Sequence, residues 1–355
     1  MTLPEFFYYL GYSFDKRRKL KGQKRLPHPV ISIGNITVGG TGKTPATIAI
    51  AEDAKKRGFN PIILTRGYKG KAKGPCFVLA RKFGSSEVRD FHTSDLPHFC
   101  SSALEAGDEP VLMAERLPDV PIVKCADRYE GGLFAIKNLK SQISNLKSPV
   151  VFILDDGFQH WKLYRDMDVV LIDGLNPFGN RKLLPIGRLR EPLKELKRAD
   201  VFVITKTKNE LLAGELKKIS PSASVYFSEY RTVKVRNAAG EEFPVGMLKD
   251  KKVFAFCGIA KPESFIQTVR SVCEDTAGSK IYRDHHRYSQ GDILYLAEQS
   301  KALKCDFLIT TEKDMVKIKE FQISNFKFQG DNILCLKIDF AADAAFFDEV
   351  FKNIP

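Results

Sequence analysis

The stretch Pro29-Val30-Ile31-Ser32-Ile33-Gly34-Asn35-Ile36-Thr37-Val38-Gly39-Gly40-Thr41-Gly42-Lys43-Thr44-Pro45 decides the fold. It begins as a short apolar run and turns glycine-rich. After Pro45 it continues as helix formers (Ala46-Thr47-Ile48-Ala49-Ile50-Ala51) closed by Arg57 and Gly58. This order predicts strand, loop, helix. Pro61-Ile62-Ile63-Leu64-Thr65 then reads as a second strand and completes a βαβ unit. Glycine in the loop lets backbone N–H groups close around phosphate oxygens at a helix N-terminus, whose dipole favours anions. Gly39, Gly40, Thr41, Gly42, Lys43 and Thr44 are therefore the expected phosphate cradle, Lys43 reaching the β- and γ-phosphates and the Thr44 hydroxyl a Mg²⁺ ligand. The strict G-x-x-x-x-G-K-[ST] spacing would want glycine at 37, where this chain has Thr37. A dinucleotide fingerprint fails because Pro45 stands at its third glycine, so a nucleoside triphosphate is preferred over NAD.

Such a loop needs a second element, a strand ending in aspartate, to complete a Mg²⁺ site. Val150-Val151-Phe152-Ile153-Leu154 running into Asp155-Asp156 supplies it, with Gly157-Phe158-Gln159-His160 following. An ordinary turn pair of aspartates is the competing reading, and it loses weight only because Gly42-Lys43-Thr44 is present. Further short apolar runs at 120–123, 169–172 and 201–204 alternate with helical or Gly/Pro-rich stretches, which argues a mostly parallel α/β sheet covered on both faces. Residues 225–233 alternate without an intervening helix and are expected to be an extended connection. Residues 252–256 open a second, smaller α/β unit with strands near 280–282, 307–310 and 333–338. The expected organisation is an N-terminal segment 1–28, a P-loop domain 29–222, a linker region 223–250 and a smaller domain 251–355.

The 355 residues suggest two domains at roughly 150 residues each. A chain that is 43% apolar and 28% charged is not disordered. No apolar run approaches the ~20 residues of a membrane-spanning helix. Lys and Arg total 56 against 43 Asp and Glu, a formal charge of +13 that invites nucleic acid, an anionic membrane or a phosphorylated substrate without choosing among them. Seven scattered cysteines without a C-x-x-C pair argue against a disulfide framework or zinc site, so all are expected to be reduced. The N-terminus lacks signal-peptide order. Instead Phe6-Phe7-Tyr8-Tyr9-Leu10, Tyr12 and Phe14 precede Lys16, Arg17, Arg18, Lys19, Lys21, Lys24 and Arg25. Rings followed by cations suit a membrane interface, and equally suit a helix docking its rings on the protein core.

A kinase must also orient and deprotonate an acceptor hydroxyl. Asp108, in Gly107-Asp108-Glu109-Pro110, and Asp284-His285-His286 are candidates, each weak on spacing alone. In series, though, the blocks carry a resemblance. Ser32-Ile33-Gly34-Asn35 into Val38–Pro45, Thr65-Arg66-Gly67-Tyr68, Gly107–Pro110, Asp155–His160, Gly187-Arg188-Leu189-Arg190-Glu191-Pro192, Phe256-Cys257-Gly258, Asp284-His285-His286 and Thr310-Thr311-Glu312-Lys313-Asp314 resemble the tetraacyldisaccharide 4′-kinase (lipid A 4′-kinase) family, in its order, over most of the chain.

That resemblance implies ATP- and Mg²⁺-dependent phosphorylation of the 4′-hydroxyl of a lipid A disaccharide 1-phosphate precursor. It further implies a peripheral enzyme at the cytoplasmic face of the inner membrane of Gram-negative bacteria, on an anionic surface. Its fold would join a P-loop domain to a smaller α/β domain by a two-stranded linker. The base falls on Asp108, assisted by His285, with His286 the alternative within the doublet. Asp155 and Asp156 take the metal role. Arg66, Tyr68, Gln159, His160 and Glu191 fall on supporting or substrate positions. Residues 75–106 look longer and more polar than the family pattern. The competing reading is a P-loop NTPase switch or metallochaperone that phosphorylates no small molecule. A nucleic-acid-binding ATPase rests on charge alone, since no recognised motif supports it, and nothing points to an obligate protein partner.

Overall fold

A computed structural model describes residues 2–80, 98–139, 148–322 and 332–355, so most of the polar insertion within 75–106 lies outside the described residues. Helix α1 (Leu3–Lys21) leads into β1 (Val30–Gly34), α2 (Lys43–Lys56) and β2 (Asn60–Thr65). Two short strands, β3 (Cys76–Val78) and β4 (Phe99–Cys100), precede α3 (Ala103–Ala106), α4 (Asp108–Arg116), β5 (Ile122–Lys124) and α5 (Arg128–Asn138). Then come β6 (Val150–Asp155), β7 (Met167–Asp173), β8 (Val201–Thr205), α6 (Glu210–Ile219), β9 (Ser224–Asn237) and β10 (Glu242–Pro244). The last part contains β11 (Lys252–Cys257), α7 (Pro262–Val272), β12 (Asp275–Ile281), α8 (Gln290–Ala302), β13 (Phe307–Thr311), α9 (Glu312–Gln322), β14 (Ile333–Ala342) and α10 (Ala344–Phe351).

All strands among the described residues belong to one sheet, ordered β12-β11-β13-β14-β9-β8-β7-β1-β6-β2-β5-β3-β4, with β10 beside β9. Strand β1 sits between β6 and β7, parallel to both. The α/β class is as expected, and the reason is visible in β6. Val151 and Ile153 enter the core under α2, while Phe152 and Leu154 enter the opposite core under α5. A strand covered on both faces must be apolar throughout, which is why it reads as an unbroken run.

Residues 225–233 are extended, as expected, and lie within a longer strand that pairs with both halves of the chain. Strand β9 is a 14-residue element whose first half pairs parallel with β8 and whose second half pairs antiparallel with β14. The sheet therefore continues through the expected junction. Strands β3, β4 and β10 were not anticipated, being two or three residues each and too short for a period to show. The expectation that all cysteines are reduced is corrected: Cys76 and Cys100 form a disulfide, Cα atoms 6.2 Å apart. The parallel pairing of β3 and β4, with Phe77 opposite Phe99, brings the two together. The other five cysteines are free. Helix α10 returns to the first half of the chain, where Phe346, Val350 and Phe351 join the core under α2.

The docking reading of the N-terminal rings holds for one face of α1. Tyr8 and Tyr9 pack on the core, and the Tyr8 hydroxyl donates to the Arg190 carbonyl at 2.7 Å. Tyr12 lies edge-on to Trp161. Leu3, Phe6, Phe7, Leu10 and Phe14 form the other, solvent-facing stripe, with Phe7 62% and Phe14 72% exposed. The i, i+3/i+4 spacing of each set separates the faces.

Candidate active site

The C-terminal ends of β1, β2 and β6 meet at one edge of the sheet, and the phosphate loop crosses above them. Gly42 is the N-cap of α2 with φ +81°, a left-handed conformation open to glycine, and a Cβ there would overlap the Tyr230 hydroxyl. Tyr230, from β9, donates to the Thr41 carbonyl at 2.8 Å, so the strand that joins the two halves also braces the loop. The other wall is residues 187–190: Val38 N–H donates to the Arg188 carbonyl, and the Arg188 guanidinium donates to the Val38 carbonyl, both at 2.8 Å. Thr37 pairs with Leu189 in an antiparallel bridge, an extended conformation that explains why glycine is not needed there.

The loop fits a triphosphate. A Cβ on Gly40 would meet open space, while the buried Thr41 hydroxyl has no hydrogen-bond partner among the described residues. Lys43 Nζ donates to Asn35 Oδ1 at 3.1 Å and lies 3.5 Å from Asp156. The two aspartates at the end of β6 differ in surroundings. Burial would raise the Asp156 carboxyl, but Lys43 and Arg190 (2.9 Å) outweigh it and hold the group at about 2. Asp155 is buried and accepts from the Thr65 and Thr47 hydroxyls at 2.9 and 3.4 Å. Burial first, then the charges of Glu109 and Asp156, push its carboxyl up. A carboxylate held in this way gains from a hard cation, and with the Thr44 hydroxyl it offers the all-oxygen donor set that suits Mg²⁺.

The second cluster joins the two halves of the chain. Asp108 opens α4 and is buried. Its Oδ2 lies 2.8 Å from His285 Nδ1, across 177 residues of sequence, and its Oδ1 accepts the Glu109 N–H at 3.1 Å. Burial would raise the carboxyl, yet the His285 hydrogen bond and the Lys313 charge hold it at about 2. The Asp108 hydrogen bond raises His285 in turn. His286 instead stacks on Tyr282, ring centroids 4.4 Å apart, and faces Asp292 at 3.1 Å. Of the doublet, His285 is the one whose ring faces Asp108. Tyr68 is exposed with its ring 5.7 Å from that of His285, and Arg66 is exposed at the end of β2.

Gln159 and Glu191 support the site from beneath. Gln159 donates to the Asn35 carbonyl at 2.9 Å and to Glu191 at 2.7 Å. Glu191 is fully buried, gripped by Arg198 at 2.7 and 2.9 Å and by the Tyr12 hydroxyl at 3.3 Å. It therefore links α1 to the site rather than facing a substrate. His160 is pushed down to about 3 by burial and then by Arg128. Arg128, Tyr230 and Lys313 were missed in the sequence. The Arg128 guanidinium is buried near Asp156, and its Nε has no partner among the described residues. Only its place in the first turn of α5 could have drawn attention to it.

Comparison with known proteins gives a consistent picture. A family model described as tetraacyldisaccharide-1-P 4′-kinase matches residues 9–354. A tetraacyldisaccharide 4′-kinase of Syntrophus aciditrophicus is 35% identical over 85% of this chain and 78% of its own. One from Syntrophobacter fumaroxidans is 34% identical over 98% and 85%, respectively. A crystal structure of LpxK from Aquifex aeolicus in complex with ATP superposes with a TM-score of 0.72 at 30% identity, over 99% of this chain and 97% of that one.

Proposed function

This chain belongs to the tetraacyldisaccharide-1-phosphate 4′-kinase family, and from that premise we propose that it transfers the γ-phosphoryl group of ATP to the 4′-hydroxyl of a tetraacyl disaccharide 1-phosphate. The observation that carries the reading is the Asp108–His285 pair, at 2.8 Å, between the phosphate-loop half and the C-terminal half. A nucleotide switch has no need of a buried acid–imidazole pair formed across two halves of a chain, whereas an enzyme that must orient an acceptor hydroxyl does.

Lys43 and the amides of residues 39–44 hold the triphosphate. Thr44 and Asp155 would hold Mg²⁺, with Asp156 beside them tied to Lys43 and Arg190. When bound, Mg²⁺ supplies positive charge across the β- and γ-phosphates. Asp108 is ionised at neutral pH and accepts a hydrogen bond from the sugar hydroxyl, fixing its oxygen in line with the γ-phosphorus. As the new P–O bond forms and the bond to the β-phosphate oxygen breaks, the hydroxyl proton passes to Asp108 and ADP leaves. A carboxylate held at about 2 is a weak base, so its contribution is chiefly orientation, with proton transfer late. His285 fixes the rotamer of that carboxylate.

The exposed stripe of α1, rich in phenylalanine, supports peripheral binding to an anionic membrane, at the cytoplasmic face where ATP is available. No helix among the described residues is long and apolar enough to cross a membrane. Incubation with γ-³²P-ATP and the lipid disaccharide 1-phosphate tests the reading. Label in the lipid supports it, and ATP hydrolysis without labelled lipid refutes it.

A further inference from the structure

Three sequence blocks have so far received no role in the chemistry: Phe256-Cys257-Gly258, Thr310-Thr311-Glu312-Lys313-Asp314 and the backbone of Asp284-His285-His286. They meet behind His285. The His285 backbone has φ +58°, a left-handed conformation that a non-glycine residue keeps only when its surroundings enforce it. Its N–H donates to the Gly258 carbonyl at 3.0 Å. On the other side of the same residue, the Gly258 N–H donates to Asp314 Oδ2 at 3.0 Å. Gly258 is closely packed between the two: a Cβ there would lie 3.0 Å from His286 Cβ and 3.3 Å from Asp314 Oδ1.

Asp314 is itself fixed. It is fully buried in the first turn of α9; its Oδ2 accepts the Thr311 hydroxyl at 2.7 Å, and its N–H donates back to Thr311 Oγ1 at 3.1 Å. Its Oδ1 pairs with the buried Lys317 at 2.6 Å. The two residues before it reach the other partner of the catalytic pair. Lys313 binds Glu109, next to Asp108, and Glu312 takes Arg116 at the far end of α4 at 3.0 Å. One turn of helix thus holds α4, which carries Asp108, and the loop that carries His285.

We propose that Asp314 is a positioning residue for the phosphoryl transfer, aiming His285 at Asp108 through the Gly258 peptide. The proposal rests on the role given above to the Asp108–His285 pair, and extends it to the Thr310–Asp314 block. Replacing the carboxylate by an amide removes its charge and turns an NH2 toward either the Lys317 ammonium or the Gly258 and Thr311 donors, which loosens the anchor of the Gly258 peptide and lets His285 leave its strained conformation. The ATP cradle, built on α2 and β6, is untouched.

A double-mutant cycle on the full-length enzyme tests this. Asp314→Asn, His285→Ala and the double variant are assayed for kcat at saturating ATP and lipid acceptor, with the ATP Kd measured separately. The expected result is a kcat about tenfold lower for Asp314→Asn, as a loss of ~1.4 kcal/mol of alignment would give. The ATP Kd should be unchanged, and Asp314→Asn should have no further effect in the His285→Ala background. If Asp314→Asn fails to fold, Thr311→Val, which removes one of the hydroxyl bonds that orient the carboxylate, is cycled against His285→Ala in its place. An undiminished kcat in the single variant, or an equal loss with and without His285, overturns the proposal. A His285→Ala enzyme with wild-type kcat would instead overturn the reading of the catalytic pair itself.

Discussion

Replacing His285 by alanine should change both the pH dependence of stability and that of activity, and the size of the effect follows from the site. Asp108 is held at about 2 although it is buried, against ~3.9 for a free aspartate. At 1.36 kcal/mol per pH unit, that difference amounts to ~2.5 kcal/mol in favour of the ionised carboxylate. Because this folded-state value is depressed, the stabilisation is present above about pH 4 and is lost as pH falls toward 2. His285 is shifted the other way, upward, so its share is complete below its unfolded value of ~6.5 and is lost as pH rises through its folded value. The pair therefore contributes most between about pH 4 and 6.5.

Urea denaturation of wild type and His285→Ala at intervals from pH 4 to 9 measures this. A stability difference of about 2 kcal/mol is expected near pH 5 to 6, shrinking above neutrality as the imidazole loses its charge while keeping its hydrogen bond. In activity, Asp108 should produce no acid limb of kcat/KM above about pH 3 in the wild type. In the variant that limb should climb toward pH 4 and beyond, because burial remains while the partner is gone. A stability difference that stays constant from pH 4 to 9 would refute the assignment of an ionised pair.

Three other outcomes follow from the geometry. Gly42→Ala should abolish ATP binding by equilibrium dialysis and lower the melting temperature, since a Cβ at φ +81° also collides with Tyr230. Phe7→Ser and Phe14→Ser should each weaken binding to anionic vesicles about tenfold with little change in melting temperature, because the removed rings are exposed in the folded protein. Glu191→Ala should cost about 1–3 kcal/mol in denaturant unfolding, since Arg198 keeps Glu195 but loses its fully buried carboxylate partner, and Gln159 and Tyr12 lose an acceptor.

The P-loop half was legible because its signals are local. A buried strand, a glycine-rich loop over residues 35–42 and a helix start follow one another within residues 29–56, and each has its own composition. The aspartates of β6 were legible only beside Gly42-Lys43-Thr44, since β7 too is an apolar strand ending in an aspartate, Asp173. The strand β9 was legible as extended chain from its alternation, Tyr226 and Tyr230 packing while Glu229 and Arg231 face solvent, but its parallel pairing with β8 and antiparallel pairing with β14 was not. The Cys76–Cys100 bond was hidden in strands too short to register. The choice between His285 and His286 depends on which ring faces Asp108 and which faces Asp292, a matter of tertiary placement that no spacing records. Tyr230 reaches Thr41 across 189 residues and was illegible for the same reason.

On this mechanism the γ-phosphoryl group ends on the 4′-hydroxyl oxygen of the lipid disaccharide. Mass spectrometry and ³¹P NMR of the lipid after turnover with ATP test it most directly. A mass gain of one phosphoryl group and a new phosphomonoester coupled to the 4′ proton are expected, both absent with Asp108→Ala. A lipid of unchanged mass while ADP accumulates, or a phosphate at another carbon, would contradict it.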